Sequence, residues 1–319
     1  MQFAFLIDPP GTLQIKKDTS FALMLEAQAQ GHTIWLLERG DLSVQAGKLY
    51  ANARQARVAD DADHPFELGT PERLPADQLD VLFVRTDPPF NSDYLTDTWL
   101  LSHAGDRPVV LNNPEGLRNI NEKIWVARFA DLTPTTLITA DRAEFLAFLQ
   151  QYQRVVIKPT DGFGGSAVFV LQAGDKNAAV TFETLSRANR YVIVQEYLPE
   201  ANEGDKRILL LQGEILGAVL RLHSDTDHRN NFAAGGKPEK TAITKAERKI
   251  CERLKPFLME NGIFLAGIDV IGEKLIEVNV TSPTCLREMQ HYYSENLAAK
   301  IIEAAAALTE KHHARNRNS

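Results

Sequence analysis

The stretch VVIKPTDGFGGSAVFVL at residues 155–171 decides how this chain is read. Two short apolar runs flank a glycine loop with no helix-length segment between them, which predicts a β-hairpin. Closely spaced glycines let backbone N–H groups approach phosphate oxygens, because no Cβ intervenes and positive φ is accessible. Gly162, Gly164 and Gly165 form the candidate cradle. The run GFGGSA also satisfies the dinucleotide-binding spacing G-x-G-x-x-A, but that fingerprint requires a helix after the glycines. Here the sequence continues as a strand, so the match is rejected. No G-x-x-x-x-G-K-[ST] occurs either. Lys158 precedes the loop on a strand that runs into it, so its ammonium can meet the same anion. Lysine and loop together read as a flexible cover over nucleotide phosphates. A ligand-free turn beside a solvated lysine is the plainer alternative.

Upstream, strand and helix signals alternate. Short apolar runs at residues 3–7, 33–37, 81–84 and 109–111 read as strands. Helices are expected at residues 19–28, capped by Thr19 or Ser20, and at 94–103. That alternation implies a parallel sheet with right-handed crossovers over about residues 1–120. A second unit, 121–203, holds helix patterns at 122–129, 141–151 and 176–188, an extended threonine-rich stretch at 133–139, the hairpin, and the strand YVIVQEYL. A third, 204–319, contains a hairpin through Gln212-Gly213-Glu214 and a polar loop at 224–240 that is expected to be mobile. It continues with a helix at 244–261, a hairpin through Gly272-Glu273-Lys274, a helix at 294–311 and a basic tail expected to fray.

The last hairpin carries the second chemical signal. Glu277 and Asn279 are two apart, so they project from one face of a strand, and Asp269 on the partner strand can point toward them. Three oxygen-bearing side chains among isoleucine, leucine and valine are costly unless something neutralises them. Hard oxygen donors suit Mg²⁺. A water-facing sheet side is the alternative. Arg207 and Arg221 lie on adjacent strands, Arg229 in the polar loop, and Arg287 after Ser282-Pro283-Thr284; together they suggest anionic substrates. Each alone could be a surface ion-pair partner.

Composition narrows the classes. The 319 residues are 44% hydrophobic and 24% charged, as in ordinary globular proteins. A net charge of −7 argues against a broad nucleic-acid or anionic-membrane surface. The start, MQFAFLIDPP, lacks a basic n-region, and no apolar run reaches membrane-span length, so a cytoplasmic location is expected. Two cysteines are too few for a disulfide framework or a zinc site, and both are expected simply to pack. The eight histidines form no metal or triad pattern, and no G-x-S-x-G occurs.

The order of these features resembles the ATP-grasp superfamily: lysine before a glycine loop, QEYL at 195–198, GDKR at 204–207, then D…E-x-N on neighbouring strands. IDPP, VRTDPPF, NNPEGLRNINEK, EYLPEANEGDKR and EVNVTSPTCLRE are similar to the bacterial glutathione synthetase family across residues 7–288. The resemblance implies an α/β (α+β) ATP-grasp fold and an enzyme that ligates γ-glutamylcysteine to glycine, using ATP and Mg²⁺ (or Mn²⁺), through an acyl phosphate. It implies a homotetramer. Carried over by residue, Lys123 and Lys158 contact ATP phosphates, Gln195, Glu196, Tyr197 and Leu198 the adenine, and Asp205 the ribose. Arg207 lies near the γ-phosphate, and Asp269, Glu277 and Asn279 ligate the metal. Arg221 and Arg287 anchor substrate carboxylates, with Ser282 beside them. Arg85 and Lys17-Asp18 are further peptide-site candidates, and the loop around Arg229 resembles a lid. Residues 41–75 are the least similar part, where insertions are expected and the resemblance carries over no role. Alternatives are a D-alanine–D-alanine ligase-like or peptide-modifying ligase of the same superfamily, and a non-catalytic nucleotide-binding protein.

Overall fold

The computed structural model describes residues 1–222 and 237–317. The first sheet grows from β1 (Gln2–Ile7), whose last five residues are buried. A strand apolar on both faces is what a central parallel strand requires. It pairs in parallel with β2 (Thr33–Glu38), and α1 (Thr19–Ala29) crosses between them. The α1 cap differs from expectation: the Asp18 carboxylate accepts from Phe21 N at 2.6 Å, and Thr19 is already the first helical residue.

Residues 41–75, where insertions are expected, are regular structure. They form β3 (Leu42–Gln45), β4 (Lys48–Val58) and β5 (Phe66–Pro75), an antiparallel ribbon that pairs with β2 and widens the sheet. On the other side β1 pairs in parallel with β6 (Val81–Val84), and β6 with β7 (Val109–Leu111) after α2 (Ser92–Leu101). The strand order is β3-β4-β2-β1-β6-β7, with β5 on β4.

After α3 (Pro114–Asn119) the expected helix at 122–129 is instead a turn leading into a short 3₁₀ helix, Trp125–Arg128. Asn121 Oδ1 accepts from Lys123 N and Ile124 N at 3.0 and 2.8 Å, as an N-cap does, and only one short 3₁₀ turn follows it. A second sheet comprises β8 (Thr136–Thr139), β9 (Arg154–Pro159), β10 (Phe169–Gln172) and β11 (Val192–Glu196), in the order β10-β9-β11-β8. Its β9–β10 hairpin is the one read from the opening stretch. Helices α4 (Arg142–Tyr152) and α5 (Ala178–Leu185) cover one face, with Phe145 stacked on Phe182.

The third sheet takes β12 (Asp205–Leu211), β13 (Glu214–Leu222), β14 (Lys237–Lys240), β15 (Leu265–Ile271) and β16 (Lys274–Asn279) in the order β14-β13-β12-β15-β16. Lys237–Lys240, expected as the end of a loop, is therefore a strand on β13; residues 224–236 of that loop, Arg229 included, lie outside the described residues. Helix α6 (Lys245–Glu260) opens with a capping box of Thr244 and Glu247. After α7 (Leu286–Gln290), α8 (Leu297–Arg317) packs against α1. The tail does not fray within the described residues: His312 and His313 bond the carbonyls of Asp106 and Arg107.

Asn112, buried just after β7, joins the first and third sheets. Its Oδ1 accepts from Phe264 N and Leu265 N at 2.8 and 2.9 Å. Its Nδ2 donates to Leu265 O and Val280 O at 2.8 and 2.6 Å. Among the described residues no helix is long and apolar enough to cross a membrane.

Candidate active site

A cavity of about 1400 Å³ opens between the second and third sheets. One wall is β9, the glycine loop and the end of β11; the opposite wall is the β12–β16 sheet. Segments 87–88, 122–123 and 281–285 close it toward the first sheet.

On the β9 wall, Lys158 is 6% exposed and makes no ion pair among the described residues. Burial pushes its ammonium down to about 8, with Glu277 and Asp269 pulling the other way. A lysine held this way gains most from an incoming anion, because the burial cost is already in place. The loop after it needs its glycines. Gly164 and Gly165 have φ of +61° and +72°, and a Cβ at Gly162 would stand 2.7 Å from Pro159 Cγ.

Where β11 leaves its sheet, Gln195 donates to Thr136 Oγ1 at 3.0 Å and Glu196 accepts from Thr135 N at 3.1 Å. Arg154 lies over the Tyr197 ring, 3.7 Å from its centroid. Gln195, Glu196, Tyr197 and Leu198 all line the cavity, so they can flank a flat, weakly polar ring system.

Cross-strand register assembles the charged wall. Asp205 sits opposite Arg221, Arg207 opposite Asp269, and Asp269 opposite Glu277. Arg207 forks onto Asp269, with Nη2 to Oδ2 at 2.9 Å and a closer Nε–Oδ1 contact. Arg221 donates through Nε to Asp205 Oδ1 at 2.9 Å and through Nη2 to Asp269 Oδ2 at 2.9 Å. Burial alone would raise the Asp269 carboxyl, but the two guanidiniums overrule it and hold the group well below the usual carboxylate range. At Lys123, burial works against the charge, yet Glu277 at 3.1 Å and Glu122 hold the ammonium above its ordinary value.

Asn279 Nδ2 donates to Gly267 O at 3.2 Å, which orients the amide beside Glu277. Asp269, Glu277 and Asn279 are thus neighbours on the cavity wall, as their spacing predicts. Among the described residues no three His, Cys, Asp or Glu side chains form a metal-ligand group. Two carboxylates and one amide oxygen are a sparse set of hard donors. It fits a small divalent cation that also takes phosphate oxygens.

Two expected substrate residues point elsewhere. Arg85 is buried and donates to Ser20 Oγ and Pro283 O, each at 2.9 Å, so it braces the 282–285 loop from behind. Arg287 bonds Asp60 at 3.0 Å and lies over the Phe21 ring. Neither is among the cavity-lining residues, whereas Ser282 is. Asp18 caps α1, and Lys17 does not face the cavity. Cys285, expected only to pack, is buried yet lines the cavity at φ +83°. Sequence reading passed over Glu122, Asn112 and Asp87. Their positions in NEK, NNP and TDPP were the one signal available.

Two family models describe the chain: the prokaryotic glutathione synthetase N-terminal domain at residues 1–118 and the prokaryotic glutathione synthetase ATP-grasp domain at residues 122–294. The chain belongs to the prokaryotic glutathione synthetase family. A glutathione synthetase of Mesorhizobium japonicum is 41% identical over 305 residues, covering 95% of this chain and 97% of that protein. That of Escherichia coli is 37% identical over 310 residues, covering 96% and 98%. Among solved structures, the D-cycloserine synthetase DcsG superposes with a TM-score of 0.68 at 15% identity over 98% of this chain and all of that one. A RimK domain ATP-grasp protein from Sphaerobacter thermophilus gives 0.61 at 15%, over 96% and 100%. At such identities these two establish the ATP-grasp fold.

Proposed function

We propose that this protein ligates γ-glutamylcysteine to glycine at the expense of ATP, forming glutathione, ADP and phosphate. Family membership and its curated relatives support the reaction. The observation that carries the site assignment is the facing of two walls: Lys158 and the glycine loop across from the Arg207–Asp269–Glu277 row.

In this reading the adenine lies against Gln195, Glu196, Tyr197 and Leu198, with Asp205 toward the ribose. The phosphates meet Lys123, Lys158 and the amides of the 162–165 loop. Asp269, Glu277 and Asn279 would hold Mg²⁺ or Mn²⁺, which would neutralise charge at the phosphates. The cysteinyl carboxylate of the peptide attacks the γ-phosphorus, ADP departs, and the glycine amine then displaces phosphate from the acyl phosphate. No protein nucleophile is needed. Lysine and arginine charge fixed in a partly buried cleft favours a phosphoryl group whose charge is being redistributed. Arg207 and Arg221 pair with the carboxylates of Asp205 and Asp269, and the same guanidinium chemistry suits a substrate carboxylate or the acyl phosphate. Ser282 offers a hydroxyl at the end toward the first sheet.

A coupled ADP-release assay over γ-glutamyl peptides and amino acids, D-alanine included, tests the reading. ADP should appear only with γ-glutamylcysteine and glycine together, matched by tripeptide. ADP release with D-alanine alone would overturn it. A cytoplasmic homotetramer belongs to the same reading on family grounds, and sedimentation checks the tetramer.

A further inference from the structure

β16 is the outermost strand of its sheet, so its N–H groups facing away from β15 need acceptors from outside the sheet. Leu132 O accepts from Leu275 N at 2.9 Å, and Glu122 serves the end of the strand and the two residues after it. Its main-chain carbonyl accepts from Val278 N at 3.0 Å. Its carboxylate Oε1 accepts from Val280 N at 2.8 Å, Thr281 N at 3.1 Å and Thr281 Oγ1 at 2.9 Å. Val278 lies between Glu277 and Asn279, and Val280 follows Asn279. Asn279, one of the three side chains assigned to the cation, is therefore bracketed by bonds to one residue, and Glu277 adjoins the first of them. The next residue along, Lys123, reaches Glu277 from the same short segment. From the opposite side, Asn112 holds Val280 O.

We infer that Glu122 is a positioning residue for the ligase reaction: its Oε1 fixes the end of β16 so that Glu277, Asn279 and Lys123 keep their places on the cavity wall. The inference rests on the ligase reading above. The property that matters is reach. All three side-chain bonds end on a single oxygen, so glutamine offers the same acceptor at the same length without the charge. Aspartate keeps the charge and falls one methylene short. Positioning ranks glutamine above aspartate. A role confined to holding Lys123 charged ranks them the other way, and a purely structural role lowers thermal stability while the folded enzyme stays kinetically normal.

Glu122→Gln, Glu122→Asp and Glu122→Ala should be compared in two ways. Backbone amide exchange across residues 278–281 is read without any ligand. Steady-state rates are read with ATP, γ-glutamylcysteine, glycine and a series of Mg²⁺ concentrations. Glutamine should keep kcat within about threefold, whereas aspartate and alanine should lose about tenfold or more, as partners that orient ligating side chains typically do. In those two variants half-saturation should need more Mg²⁺, and the Val280 and Thr281 amides should exchange about tenfold faster, as for opened local structure. The ATP KM should change less than kcat, because the adenine wall lies on another sheet. Aspartate equal to or better than glutamine, or unchanged exchange in the aspartate variant, overturns the inference. Should the alanine variant not fold, the glutamine–aspartate ranking decides alone. A wild type that makes no tripeptide sinks the ligase reading instead, and the exchange data then decide on Glu122.

Discussion

Replacing Lys158 with methionine should make the ligand-free protein more stable and a worse ATP binder. Methionine is similar in length and carries no charge into the wall where Lys158 is 6% exposed. The ammonium titrates at about 8 against an ordinary 10.5, and each unit corresponds to about 1.4 kcal/mol, so charging it in the fold costs about 3 kcal/mol. The sign follows from proton counts. Between about 8 and 10.5 the unfolded chain binds more protons at this site than the folded one, so wild-type stability rises with pH across that window. The cost is present in full below it. Lys158→Met should therefore melt higher at pH 7, by roughly 5–10 °C for a domain of this size, with the gap closing toward pH 10. Its affinity for ATP should fall by about tenfold or more, since a desolvated cation facing phosphate is lost. Thermal melts at several pH values and calorimetric ATP titrations read both effects. A variant that melts lower at pH 7 and binds ATP normally would refute the burial argument and the phosphate role together.

Glu277→Gln should keep the fold but lower the melting temperature, because buried Lys123 loses the anion that offsets its charge, and reduce turnover by about a hundredfold; near-normal turnover at saturating Mg²⁺ would remove this residue from the site. Asn112→Ala should cost about 3–5 kcal/mol, because four buried backbone groups lose their partner, and a denaturant titration showing less than about 1 kcal/mol would contradict the joint between sheets.

Local signals made most of the fold legible. The parallel strands announce themselves as apolar runs, and the β9–β10 hairpin as two such runs around glycines. The β3–β5 ribbon did not show. Its inward positions on β4 are Leu49, Ala51, Ala53, Ala56 and Val58, and alanine is a weak strand signal. β5 is almost wholly exposed and contains a glycine and two prolines, so it reads as loop. At the site, period-two spacing was enough for Glu277 and Asn279, because their chemistry needs one shared face. Arg85, Arg287 and Glu122 are different. Their hydrogen-bond partners are 65 to 227 residues away, and nothing local distinguishes an arginine that binds substrate from one that braces Pro283 O. The 122–129 segment reads as a helix from its local pattern, and the distant partner that engages it, Val278 N on β16 bonding Glu122 O, leaves no local mark.

The most direct test of carboxylate activation follows oxygen. γ-Glutamylcysteine labelled with ¹⁸O in both cysteinyl carboxylate oxygens is incubated with ATP, glycine, Mg²⁺ and the wild-type protein, and phosphate and tripeptide are analysed by mass spectrometry. An acyl phosphate predicts one ¹⁸O in each phosphate released and one retained in the new peptide bond. Unlabelled phosphate, with both label atoms left in the dipeptide, would mean that ATP is hydrolysed by water and that the carboxylate is not activated.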